Sequence, residues 1–145
     1  MTKTATISVA ACALLAAAVG LQAVLHAQAK STVEGVYTDA QAKRATAVYK
    51  EQCAACHGDD LKGNDIIPGL TGDAFAANWR GKSVGDLFEK INMTMPALSP
   101  GSLTPEQTAD LVALILSVAK YPAGTTDLAS SLEALQQIKI DAPKP

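Results

Sequence analysis

Cys53-Ala54-Ala55-Cys56-His57 places two thiols and an imidazole in one short run. In an exported chain this spacing reads as covalent attachment of a c-type haem: both thiols add to the haem vinyls and the histidine ligates iron. The bare C-x-x-C pattern also serves structural zinc, dithiol redox centres and short disulfides. Structural zinc takes four N or S ligands, whereas outside the apolar leader the chain offers only Cys53, Cys56 and His57. A dithiol redox site sits beside a βαβ pattern, which this sequence lacks, and a disulfide across two intervening residues would close a small, strained loop.

The same inventory restricts the second iron ligand. His26, the other histidine, lies in the leader, so bis-histidine ligation is excluded once the leader is cleaved. The sixth position then falls to a methionine, to a weaker donor such as Lys or Asn, or to water. Beyond the initiator the methionines are Met93 and Met95. Residues two apart in an extended segment point the same way, so both could face iron. Pro96 pushes Met95 into extended backbone and favours it, while Met93 lies nearer the end of a helix. The competing role for either is that of a gap-filling core side chain.

The leader decides whether haem chemistry is permitted, because attachment belongs to oxidising, non-cytosolic compartments. Lys3 supplies a positive start, Ile7 to Leu25 is a nearly unbroken small apolar stretch, and Ala27-Gln28-Ala29 forms an A-x-A cleavage site. Residues 1–29 are therefore read as a signal peptide cut after Ala29 or Ala27, with the periplasm as destination. An uncleaved anchor is the minor alternative, since about 18 apolar residues can span a bilayer. Cys12 follows Val9-Ala10-Ala11 as in a lipoprotein acylation box, but the apolar stretch continues well past it, so we read it as a leader filler.

Residues 30–145 fit one domain by length. A formal net charge of −2 speaks against nucleic acid as a partner. Lys30 to Tyr37 read as an arm. Thr38-x-x-Gln41 forms a capping box for a first helix that ends at the haem motif, with Ala45 and Tyr49 on one face. From His57 to Trp79 the spacing of Gly58, Gly63, Asn64, Pro68, Gly69, Gly72 and Asp73 predicts loop, as a chain wrapping a haem requires. Ser83 with Asp86 opens a second helix through Leu87, Phe88 and Ile91, stopping near Asn92. Thr104-Pro105-Glu106-Gln107 is the clearest start in the chain, and Leu111, Leu114, Ile115 and Val118 give that helix its apolar face. After Tyr121-Pro122 a tail carries one weaker helical stretch, Ser131 to Ile138. No strand alternation appears.

These residues bring the chain to a family. It resembles the class I c-type cytochromes over roughly Tyr37 to Lys120. The likeness rests on Ala45-x-x-x-Tyr49, Cys53 to Gly58, Pro68-Gly69-Leu70, Trp79, Met95-Pro96, and Pro100-Gly101-Ser102-Leu103 leading into Asp110 to Leu116. The resemblance implies a small all-α cytochrome c fold: three main helices and loops around one covalent haem (core 37–120), with a tail (121–145) holding a short helix. It implies that the Pro68 carbonyl orients His57 and that Met95, before Pro96, is the distal ligand. The family usually has glycine where Ala45 stands and an aromatic where Leu114 stands, which loosens the crossing of first and last helices without touching iron.

The function so implied is a one-electron carrier of the periplasm, not an enzyme. Cys53 and Cys56 would attach haem c, and His57 and Met95 would ligate its iron. Partners would be redox proteins: a dehydrogenase donor and an oxidase or other cytochrome as acceptor. The loops around Trp79 and Pro100 to Leu103, with the tail, look similar to cytochromes that accept electrons from quinoprotein or other periplasmic dehydrogenases. The alternative is an open-site haem protein binding a gas or peroxide, but no second histidine is present to act as its distal polar group. Lys50, Lys62, Lys82 and Lys90 read as ordinary solvated charges before they read as a ring steering an acidic partner.

Overall fold

Local start signals in the sequence set out the frame, seen in a computed structural model that describes residues 30–142. The leader, its cleavage positions at Ala27 and Ala29, and the residues Cys12 and His26 lie outside the described residues. The helices are α1 (Asp39–Gln52), α2 (Ala54–His57), α3 (Gly72–Trp79), α4 (Val84–Thr94), α5 (Pro105–Val118) and α6 (Leu132–Gln136). Two two-residue strands, β1 (Lys30–Ser31) and β2 (Ile138–Lys139), pair in parallel. The architecture is all-α, and among the described residues no helix is long and apolar enough to cross a membrane.

Both predicted capping boxes of the later helices form in full. Ser83 Oγ accepts from Asp86 N at 3.0 Å while Asp86 Oδ2 accepts from Ser83 N at 2.8 Å. Thr104 and Gln107 make the same exchange at 3.2 and 2.9 Å. At α1 only half the box forms. Thr38 Oγ1 accepts from Gln41 N at 3.1 Å, but the Gln41 side chain turns inward and holds the backbone of Leu128, donating to its carbonyl at 2.9 Å and accepting from its N–H at 2.6 Å.

The first and last long helices make the most extensive helix–helix contact. Ala45 and Tyr49 are buried against it, as are Leu111, Val112, Ile115 and Leu116 of α5. Ala45 thus fills the crossing despite its extra methyl, and Leu114 is only partly buried. Arg44 fastens the same pair from outside, donating to both Asp110 oxygens at 3.1 and 3.0 Å and to Asp127 of the tail at 2.8 Å.

Three expectations need correction. The stretch from His57 to Trp79 is not all loop, because α3 occupies its end. Gly72 and Asp73 suggested a turn, whereas Asp73 is the acidic first-turn residue of α3 and Phe75 is its buried anchor. α4 runs two residues past Asn92, since Pro96 restricts only Met95 and leaves Met93 and Thr94 free to stay helical. The tail helix is shorter than Ser131 to Ile138, because Ile138 leaves it to pair with Lys30. A two-residue strand is too short to show alternation, which is why none was visible.

The arm and the tail are part of the packed body. Thr32, Tyr37, Leu128, Leu135 and Ile140 are all buried. Tyr37 donates its hydroxyl to Tyr121 O, and Tyr121 donates its own to Asp141 O, both at 2.8 Å. Each fully buried Leu or Ile contributes about 2 kcal/mol, so Leu135 and Ile140 help hold the tail in the body, and the Ile140 backbone pairs with Gly81 N and Lys82 O, both at 2.8 Å.

Candidate functional site

The C-x-x-C-H run is a single tight helical turn grafted onto the end of α1. Cys53 leaves helical backbone (φ −128°, ψ −38°) and serves as cap for both α1 and α2. Its N–H donates to Tyr49 O at 2.9 Å, and its carbonyl accepts from Cys56 N and His57 N at 3.1 and 2.9 Å. Residues three and four apart share a helical face, so the turn gathers both thiols and the imidazole. Cys53 is partly buried, Cys56 is exposed, and both are free thiols. Burial, with a smaller contribution from Cys56, pushes the Cys53 thiol up from its ordinary value. A redox dithiol needs the opposite, a depressed pKa.

His57 Nδ1 lies 2.9 Å from the carbonyl oxygen of Pro68. A carbonyl only accepts, so Nδ1 carries the proton and the lone pair stays on Nε2. The loop holds that carbonyl from two sides. Gly63 N donates to His57 O at 2.8 Å, Asn64 N to Ile67 O at 2.9 Å and Leu70 N to Leu61 O at 2.8 Å. Asn64 Oδ1 accepts from Ile66 N and Ile67 N, each at 2.9 Å, closing the turn just before Pro68. From α1, Tyr49 donates its hydroxyl to Gly58 O at 2.6 Å. Burial first, then the neighbouring Cys53, Asp59 and Asp60, pushes this phenol up to about 12, so it remains a donor.

The two methionines are separated by the end of α4. Met93 sits in its last turn, 66% exposed. Met95 is the C-cap, extended at φ −122° and ψ 154°, with its N–H donating to Ile91 O at 2.9 Å, and is partly buried. The expectation that both lie in one extended segment and point the same way is therefore corrected, because Met93 is helical. The pairing of Met95 with a following proline that sets its backbone stands.

Of the four lysines weighed for steering, Lys62 pairs with Asp60 at 3.1 Å and Lys82 Nζ stands 4.8 Å over the Trp79 ring. Lys82 and Lys90 share a groove with Asp86, Glu89, Trp79, Met93 and Thr94, a surface of both signs. Sequence reasoning missed Tyr49 as a tie to Gly58 and Asn64 as the turn-former. Asn64-Asp65 is a turn signal that pointed to the second, and nothing local pointed to the first.

Two free thiols on one turn and an imidazole whose Nδ1 is taken up by the Pro68 carbonyl, leaving Nε2 for a metal, are the donor set that covalent haem c takes. An all-α frame carrying that set defines a c-type cytochrome domain. Residues 40–115 match the family model described as cytochrome c oxidase, cbb3-type, subunit III, and the chain belongs to that family. Its cofactor is covalently bound haem c with iron, the group of a haem-based electron-transfer domain. Among solved structures it is similar to the sulfane dehydrogenase SoxCD from Paracoccus pantotrophus, at 24% identity and a TM-score of 0.49, over 71% of this chain and 53% of that one. The chain thus spans about half the length of that relative. Comparison with curated proteins gave no match.

Proposed function

We propose that the protein is a one-electron carrier of the periplasm, released there as a single domain from residue 30 onward after loss of its leader. Cys53 and Cys56 hold the haem through thioether bonds, and His57 Nε2 and Met95 Sδ are the iron ligands. The observation that carries this reading is the 2.9 Å contact between His57 Nδ1 and Pro68 O, which leaves Nε2 as the only ring nitrogen able to bind a metal. When bound, haem c would supply one reversible electron step, and ligation by the Met95 thioether together with the His57 imidazole would raise its potential. The chain's own residues do the rest. The Pro68 carbonyl keeps the imidazole in one tautomer, Tyr49 keeps the attachment turn on α1, and Met95 closes the distal side against added ligands.

His57 is the single histidine among the described residues, so the distal acid or base that an open, peroxide-using site would need has no imidazole to serve it. The matching family is named for an oxidase subunit. For this chain we propose a dehydrogenase, of quinoprotein or other type, as donor, and an oxidase or another cytochrome as acceptor. A redox titration of the holoprotein with carbon monoxide tests the reading. The account expects a reversible one-electron transition and no carbon monoxide adduct in the native reduced protein. Ready binding of carbon monoxide, or steady peroxide turnover, would instead establish the open site.

A further inference from the structure

α4 ends at Thr94, and the chain loops from Met95 to Leu103 before Thr104 caps α5. The loop's own hydrogen bonds are local: Ser99 N donates to Pro96 O at 2.8 Å and Ser102 N to Ser99 O at 3.2 Å. Ala97 to Ser102 are all exposed, and only Pro96 and Leu103 are buried, one at each end. Such a segment has little to hold it shut.

Asn92 supplies a polar tie across it. From the last turn of α4 its Nδ2 donates to Leu103 O at 3.3 Å and to Thr108 Oγ1 at 3.0 Å. The Thr108 hydroxyl gives its own proton to Thr104 O at 3.0 Å, so a lone pair faces Asn92. Thr108 is fully buried. Asn92 stands in the last turn of α4, three residues ahead of Met95, the extended C-cap at which the loop begins. The amide therefore joins the start of the methionine loop to its far end and to α5.

We propose that Asn92 is a positioning residue for Met95: by closing this loop it sets how firmly the thioether is kept as an iron ligand. The proposal rests on the reading of Met95 as that ligand. A thioether is a weak neutral donor, so an added ligand binds in proportion to the fraction of molecules whose loop has opened. Losing one net hydrogen bond raises that fraction by about tenfold.

The experiment titrates ferric holoprotein with imidazole and follows loss of the long-wavelength iron–sulfur band. Asn92→Leu and Thr108→Val should each lower the apparent Kd for imidazole by about tenfold. Thr108→Ser keeps the hydroxyl and should behave as the native protein. If both variants lower the melting temperature while the imidazole Kd stays native, Asn92 only supports the fold and the proposal is overturned. Met95→Ala separates the two layers. A Met95→Ala protein that retains the band sinks the ligand assignment and the proposal with it. A band abolished by Met95→Ala, beside native imidazole binding in both other variants, sinks the proposal alone.

Discussion

Gly63→Ala is the sharpest perturbation of the proximal side, because it acts on the Pro68 carbonyl while leaving the side chains of His57 and both cysteines in place. Gly63 has φ +66°, and a Cβ built there lies 2.7 Å from the carbonyl carbon of Pro68 and from Gly69 N, and closer still to Ile67 O. All three are backbone atoms, so the loop must move. The left-handed backbone costs an alanine about 1–2 kcal/mol. Displacing the Pro68 carbonyl from His57 Nδ1 removes a partly exposed hydrogen bond of about 1 kcal/mol. The sum is about 2–3 kcal/mol, or roughly 10 °C in Tm for a domain of this size. Gly72→Ala is the control: φ is +79° but nothing lies within 4 Å of the added Cβ, so only the backbone cost applies, about half the loss. Thermal unfolding by circular dichroism gives the stability. Solvent exchange of the His57 Nδ1–H in the reduced holoprotein, followed by NMR, reports the hydrogen bond and should accelerate in Gly63→Ala alone. Equal melting temperatures for the two variants, with unchanged His57 exchange, would refute the reasoning.

Two further outcomes concern the tail. Gln41→Ala strands the buried N–H and carbonyl of Leu128 and should cost about 2–4 kcal/mol in denaturant unfolding, with the Leu128 amide losing hydrogen-exchange protection; a loss below about 0.5 kcal/mol would show that the tail does not depend on this clamp. Asp127 is held below its ordinary 3.8, first by the Thr38 hydroxyl and then by the Arg44 guanidinium. A depressed carboxylate stabilises the fold fully above its unfolded value, and the contribution disappears as pH falls through the folded one. The melting-temperature gap between native protein and Asp127→Asn should therefore be constant near neutrality and close below about pH 3.8; a gap that persists in acid would contradict the pairing.

Much of this was legible locally. Thr104-Pro105 and Ser83-x-x-Asp86 read correctly because each cap is complete within four residues. Cys53 to His57 read as haem attachment for the same reason, since the chemistry is contiguous. Gln41 misled because its partner, Leu128, lies far along the chain and outcompeted the local capping bond. α3 stayed hidden because its cap position, Thr71, makes no side-chain cap and its first residue is a glycine. The arm and tail looked dispensable, yet Thr32, Leu135 and Ile140 are buried through contacts that no short window contains. At the site, the short-range backbone restriction of Met95 by Pro96 held, whereas the extent of α4, and with it the orientation of Met93, depended on how far the helix propagates.

The central claim is that His57 and Met95 close the iron into a six-coordinate electron-transfer site, and the ferric absorption spectrum of two variants tests it most directly. Native protein should show the weak long-wavelength band of iron–sulfur ligation, Met95→Ala should abolish it, and Met93→Ala, which alters a side chain 66% exposed on α4, should leave it intact. A band that survives Met95→Ala, or that vanishes with Met93→Ala, would contradict the account.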